Sequence, residues 1–207
     1  TRLERIVALL ALRNLHKKYG HLQEIIIQNF RAKADTRMFN ALEPSLEDLI
    51  WTISAARIIF GPKMNLQAPP NLSVDNLEPL INAGINDWGG ISPLTPDHVN
   101  PEAPWPELQE LTKATAECAG RFDVKKLLTE RLAIYPDYAV NGEEWLDETI
   151  RPQVLQLSDS EGLARIDSWS PGIGIILPEI TKYSSIKTKS GISKEIENLL
   201  TRSKTSP

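Results

Sequence analysis

The sequence predicts an α/β fold, part of a (β/α) barrel carrying its active-site side. Helical and strand-like patterns alternate over the first 87 residues as α-β-α-β-α-β, which implies parallel strands joined by right-handed crossovers. The strand-like runs are short and apolar, and each breaks off into polar residues: Gln28-Asn29-Phe30-Arg31, Gln67 to Asn71, and Asn86-Asp87. Three strands are too few to close a barrel and would leave sheet edges open. Their polar tips converge on one rim, the end where barrel enzymes keep their chemistry.

Leu3, Ile6, Val7 and Leu10 recur at helical spacing, and Gly20 stops that helix after Lys17 and Lys18. In LQEIIIQNF, residues 22 to 30, the β-branched run Ile25-Ile26-Ile27 marks a strand expected to be buried on both faces. Ser45 and Asp48 have capping-box-like spacing before a helix with Leu46, Leu49, Ile50 and Ile53 on one face, ended by Gly61-Pro62. Met64 to Ala68 reads as the second strand. Ser73 is expected to cap a shorter helix through Leu77, Leu80 and Ile81, with Gly84 as its stop, and Ile85 to Asp87 reads as the third strand.

Beyond it lies AGINDWGGISPLTPDHVNPEAPWP, residues 83 to 106, which has neither helical nor strand periodicity. Five of the 15 prolines fall between Pro93 and Pro106, so this loop is stiff. A stiff polar loop after a short strand is how a scaffold presents functional groups. Pro106 is expected at the start of a helix buried through Leu108, Leu111, Thr115 and Ala119, up to Gly120. A short helix and an extended RLAIYP follow, then one helix from Glu143 to Leu157 carrying Trp145, Leu146, Ile150 and Val154. Trp169 to Gly172 reads as a turn, with order fading beyond Pro178. The chain thus divides into residues 1–178, the barrel portion with capping helices, and residues 179–207, a basic tail expected to be flexible.

At 207 residues, 41% hydrophobic and 24% charged, the chain has the composition of a soluble globular domain with a sizeable core. The net charge is -4, but residues 181–207 hold six Lys/Arg against two Glu, so the first 180 residues carry -8. That balance gives no overall pull toward nucleic acid, and no apolar run approaches the ~20 residues that span a bilayer. One cysteine, Cys118, excludes an internal disulfide and fits a reducing, cytoplasmic setting; it is expected mid-helix as a buried core residue. The N-terminus opens directly into an amphipathic helix, which argues against a signal peptide, and Thr1 in place of Met suggests a processed product or part of a longer protein.

His16, His21 and His98 lack metal-ligand spacing, and no Walker loop or dinucleotide fingerprint is present. What remains is the rim: Gln28, Asn29, Arg31, Gln67, Asn71, Asn86, Asp87, Thr95 and His98, with Gly89 and Gly90 in its turn. Amides do not titrate, so such a set suits recognition of a heterocycle or polyol. Asp87 is the one acidic group within it. It either orients a substrate amine or hydroxyl, or acts as a base, or caps the Gly89-Gly90 turn. Arg31 either binds a carboxylate or braces the rim.

The stretches QEIIIQNFRAK, MNLQAPPNLS and, above all, AGINDWGGISPLTPDHVNPEAPWP resemble the radical S-adenosylmethionine subunit of FO synthase, from Thr1 to about Gly172. The resemblance implies the C-terminal half of a radical-SAM TIM-like barrel, similar to that of biotin synthase, with a helical C-terminal extension. It implies cleavage of S-adenosylmethionine at a [4Fe–4S] cluster. The radical so formed converts a hydroxybenzyl–ribityl-diaminouracil adduct into the deazaflavin FO with loss of ammonia. On this reading Asp87 is catalytic. Gln28, Gln67, Asn71, Asn86, Gly89, Gly90, Thr95 and His98 contact the substrate, and Asn29 and Arg31 the S-adenosylmethionine. The implied partners are the small-molecule substrate, a second FO synthase subunit that supplies the adduct, and the N-terminal half of the barrel.

The sequence departs from the family in two respects: the Cys-x3-Cys-x2-Cys loop that holds its cluster does not occur here, so no metal ligand is assigned, and the strand with a glycine-rich turn and glutamate that the family places immediately before the position of Thr1 is missing too. The alternatives are a sister radical enzyme of the menaquinone or tyrosine-lyase type, and a cluster-free ligand-binding or split-partner protein.

Overall fold

The computed structural model describes residues 1–92, 94–118 and 126–166. The expected end of a helix at Ala119 and Gly120, the turn at Trp169 to Gly172, the fading of order beyond Pro178 and the basic tail at 179–207 lie outside the described residues.

Helix α1 (Arg2–Tyr19) opens with a capping box between Thr1 and Glu4 and closes on Gly20, left-handed at φ 68°, whose N–H reaches His16 O at 2.7 Å. Its inner face is not the stripe that the spacing suggests. Leu9 is buried, whereas Leu3 and Val7 are 72% and 58% exposed. The contact with α2 (Leu46–Phe60) decides this: Arg5 Nη1 donates to Asp48 O (3.2 Å) and Thr52 Oγ1 (3.1 Å), and Arg2 lies over the Trp51 ring. These contacts turn Leu9 and Leu12 inward.

Ser45 caps α2, its hydroxyl accepting from Asp48 N at 3.2 Å, and Gly61 ends the helix at φ 80°. Strands β1 (Ile25–Ile26), β2 (Leu66–Ala68) and β3 (Asp87–Trp88) form one parallel sheet in that order, so α/β alternation and the shared end of the strand tips hold. The register sets Ile26 beside Gln67 and Gln67 beside Asp87. Since side chains alternate across a sheet, those three share one face. Ile25, Ile27, Leu66, Ala68 and Trp88 join Leu49, Ile53, Ala56, Leu80 and Leu111 in the core. Fully buried Ile53, Leu66, Leu80 and Leu111 each contribute about 1.5–3 kcal/mol by leaving water.

The expectation that β1 is buried on both faces fails at Ile26, which is 52% exposed. β1 is an edge strand, and among the described residues no element covers its Ile26 side. Ile25 and Ile27 donate to Asn65 O and Gln67 O, both at 2.9 Å, so the peptide groups of Ile26 point away from β2.

Ser73 does not cap a helix. Two 3₁₀ turns, Pro70–Leu72 and Val74–Asn76, carry the chain into α3 (Leu77–Ala83), because consecutive prolines and short polar residues favour tight turns there. Gly84 stops α3 at φ 123°. β3 begins two residues later than expected. Asn86 N donates to Leu66 O and Gly89 N to Ala68 O, flanking the ladder that pairs Gln67 with Asp87 and Ala68 with Trp88.

Helix α4 (Leu108–Glu117) buries Leu111 and Thr115, and Thr115 Oγ1 accepts from Trp88 Nε1 at 3.1 Å. Leu108 is 43% exposed, and Pro106 precedes the helix rather than starting it. Cys118 is buried, as expected, but it caps the end of α4 instead of lying mid-helix. Residues 126–135 form no helix or strand beyond an isolated bridge, Arg131 to Leu163.

The single helix expected at 143–157 is two: α6 (Gly142–Trp145) and α7 (Arg151–Leu157), preceded by the short α5 (Pro136–Val140). The break follows from Leu146, which is extended, and from Asp147, whose Oδ1 accepts from Thr149 N (2.9 Å) and Thr149 Oγ1 (2.6 Å). Pro152 then fits the first turn of α7. No helix among the described residues is long and apolar enough to cross a membrane.

Candidate functional site around Asp87

Asp87 lies beside Gln67 in the sheet and lines a cleft of about 470 Å³ together with Trp88, Thr115, Arg131 and Tyr135. Its Oδ2 is crowded. It accepts from Arg131 Nη2 (2.7 Å), Arg131 Nε (3.0 Å), the Tyr135 hydroxyl and Gln67 Nε2 (3.4 Å). Tyr135 is 3% exposed; its backbone N–H is held by Gln23 Oε1 at 2.9 Å, and its hydroxyl also lies 2.6 Å from Glu24 Oε2. The Arg131 guanidinium stacks 3.9 Å over the Tyr135 ring.

Burial, reinforced by the hydrogen bonds to Asp87 and Glu24, pushes the Tyr135 phenol well above its ordinary value. It therefore stays protonated. Burial works against the Arg131 cation, yet the hydrogen bond and charge of Asp87 outweigh it and raise its pKa. Asp87 does not cap the Gly89-Gly90 turn; its carboxylate is spoken for on one oxygen by Arg131 and Tyr135. Gly89 is required by space: a Cβ there would lie 2.4 Å from Gln67 Oε1, so the glycine lets the Gln67 amide lie against it. Gly90 is left-handed at φ 63° and abuts Trp105.

A second network ties the loops that follow the three strands. Arg31 pairs with Glu43 (2.8 Å) and donates to Leu72 O (3.0 Å), so of its two expected roles the structure supplies bracing. Lys33 pairs with Glu102. Buried Asn71 donates to Asp97 Oδ2 (2.9 Å) and Ala103 O (3.0 Å). Asp97 also accepts from the backbone N–H of Val99 (2.9 Å) and of Asn100 (3.0 Å), and from the Asn100 side chain (3.0 Å). Burial pushes the Asp97 carboxyl up, but the hydrogen bonds from Asn100, Asn71 and Val99 prevail and hold it at about 2.

The expected rim therefore separates into parts. Gln67, Asp87 and Gly89 come together as an inner cluster. Arg31 and Asn71 belong to the loop belt above it. Asn86 lines the Asp87 cleft as well, but its Oδ1 is taken up by Arg57 Nη2 and Leu66 N, both at 2.8 Å, so it stitches the strands together. Thr95 is exposed and bonds Ser92, and His98 is exposed. Gln28 and Asn29 line a separate groove between β1 and helices α1 and α2. Glu24, Arg131, Tyr135 and Asp97 were not in the expected set. Arg131 and Tyr135 lie more than 40 residues from Asp87 in a segment without periodicity, so only their spacing of four could have hinted at a pair.

The residues do not fit an iron–sulfur cluster. The single cysteine, Cys118, is buried in the core at the end of α4, and burial followed by the charge of Glu78 raises its pKa. Among the described residues no group of three His, Cys, Asp or Glu could hold a metal ion. For S-adenosylmethionine, the Arg31 guanidinium is already taken by Glu43 and Leu72.

No family model matches the chain, and no solved structure matches it. Curated proteins do. It is 51% identical over 166 residues, 80% of this chain, to FO synthase of Streptomyces coelicolor. It is 45% identical over 162 residues, 78% of this chain, to 7,8-didemethyl-8-hydroxy-5-deazariboflavin synthase of Methanopyrus kandleri. With FO synthase of Nocardia farcinica the identity is 42% over 196 residues, 94% of this chain. A match that long runs past Gly172, where the motifs suggested an end.

The chain spans 18% of the length of the Streptomyces protein, 22% of the Nocardia protein and 46% of the Methanopyrus protein. Any 166-residue stretch of a 207-residue chain takes in roughly residues 42 to 166, so Gln67, Asp87, Arg131 and Tyr135 fall within the likeness. The chain is thus a homologue of one portion of the FO synthases.

Proposed function

We propose that this chain is the C-terminal, substrate-side portion of a radical-SAM barrel in an FO synthase. Within the complete enzyme it holds the hydroxybenzyl–ribityl-diaminouracil adduct while that adduct is converted to FO with loss of ammonia. The observation that carries this reading is the identity with FO synthases over a stretch that includes the Asp87 cluster. Two features of the fold support it: strand-end loops cross-tied on one side of a parallel sheet, and a β1 edge whose Ile26 peptide groups have no partner strand among the described residues. The strands of the N-terminal half would pair there. In the complete enzyme, S-adenosylmethionine at a cluster held by residues outside this chain would supply the radical.

The chain's own part is recognition. Gln67 and Asp87 offer amide and carboxylate groups to a uracil-like ring or a ribityl hydroxyl, and the Arg131–Tyr135 pair holds the Asp87 carboxylate in place. The adduct would reach the site from a second FO synthase subunit or domain. In the complete synthase, Asp87→Asn is expected to cut FO formation by roughly tenfold or more, as for other positioned polar groups. Normal turnover by that variant would remove Asp87 from the site.

A further inference from the structure

All four donors that reach Asp87 converge on Oδ2: Arg131 Nε and Nη2, the Tyr135 hydroxyl and Gln67 Nε2. An arginine that serves only to neutralise a carboxylate commonly forks across both oxygens. Here two of its three nitrogens sit on one oxygen, and Arg131 Nη1 turns instead to Leu132 O at 2.9 Å. No described residue donates to Oδ1, and the Asp87 side chain keeps 16% of its surface exposed in the cleft. The holders are themselves held. The Tyr135 backbone N–H is held by Gln23, its one hydroxyl proton lies between Asp87 Oδ2 and Glu24 Oε2, and Arg131 is stacked on its ring.

We infer that Arg131 and Tyr135 are positioning residues for Asp87, saturating Oδ2 so that Oδ1 accepts a hydrogen bond from an N–H or O–H of the bound substrate. Asp87 then acts as a fixed acceptor, and the three side chains work as one unit. The inference rests on the proposed reading of Asp87 as a substrate-contacting residue. It adds two residues to the site, and it assigns one carboxylate oxygen to structure and the other to recognition.

The test is a double-mutant cycle in the complete synthase. It compares Tyr135→Phe, Arg131→Gln, Asp87→Asn and the pair Asp87→Asn with Tyr135→Phe, reading kcat, KM and the Kd of the adduct by titration. Tyr135→Phe removes one hydrogen bond to a carboxylate and is expected to weaken adduct binding about tenfold. The double variant is expected to bind no worse than Asp87→Asn alone, since residues that act through one group are not additive. Losses that multiply in the double variant, or a Tyr135→Phe enzyme with unchanged Kd and KM, would overturn the positioning role while leaving a damaging Asp87→Asn intact. An Asp87→Asn enzyme with normal kcat, KM and Kd would overturn the underlying reading as well. If Arg131→Gln does not fold, the Tyr135→Phe arm decides.

Discussion

Replacing Arg57 tests how the strands are seated. This guanidinium leaves α2 and donates to Gly61 O (2.7 Å), Met64 O (2.8 Å), Gly84 O (2.8 Å), Pro62 O (3.2 Å) and Asn86 Oδ1 (2.8 Å). It thereby ties the end of α2 to the starts of β2 and β3. No carboxylate among the described residues lies within ion-pair distance, and burial lowers its pKa. Arg57→Met leaves three partly buried carbonyls, those of Gly61, Met64 and Gly84, without their donor, while Pro62 O and Asn86 Oδ1 are exposed and exchange to water. At about 1 kcal/mol each, the loss comes to about 3 kcal/mol. For a domain of this size that lowers Tm by roughly 6–12 °C. Arg57→Lys, with one ammonium in place of a planar fork, recovers less than half. Urea unfolding followed by tryptophan fluorescence measures both. A shift below about 0.5 kcal/mol, the range of ordinary surface substitutions, would refute the reasoning.

Three further outcomes are expected. Asp97 is held at about 2 in the folded chain, below the ordinary value near 3.9 of an unfolded aspartate. Its contribution to loop stability is therefore full above about pH 4 and is lost as the pH falls through about 2; an Asp97→Asn chain whose stability fell just as steeply over that window would disprove it. Gly89→Ala drives a methyl group into Gln67 and is expected to cost about 1–3 kcal/mol while weakening adduct binding; intact binding and stability would mean Gln67 moves aside freely. Cys118, buried with a raised pKa, should react with iodoacetamide only on unfolding. Labelling of the folded chain at the rate seen in urea would contradict its place in the core.

Much of the scaffold was legible because its signals are local. Gly20, Gly61 and Gly84 each stop a helix in a left-handed or otherwise glycine-favouring conformation, and the short apolar runs pair in parallel. Two features depend on partners, and periodicity does not encode them. Ile26 reads as core because isoleucine favours buried strands, yet its exposure is set by which neighbour lies beyond the β1 edge. Likewise, Leu3 and Val7 look like an inner stripe until Arg2 and Arg5 fix the side of α1 that meets α2.

The candidate site was half legible. Asp87, Gln67 and Gly89 lie in or next to paired strands, where the register brings them together. Arg131 and Tyr135 arrive from an irregular segment, and only three-dimensional packing puts them on the carboxylate. Asn86, an amide indistinguishable by type from Gln67, spends its Oδ1 on Arg57 and Leu66 N, partners that residue type does not encode.

The central claim is that the sheet is one side of a larger barrel, and hydrogen exchange at the Ile26 amide tests it most directly. That amide points away from β2, whereas those of Ile25 and Ile27 are bonded to Asn65 and Gln67. In the 207-residue chain alone, Ile26 should exchange far faster than its two neighbours. In the complete synthase, pairing with a strand of the other half should bring its protection to theirs. Equal and rapid exchange of Ile26 in both forms would contradict the account.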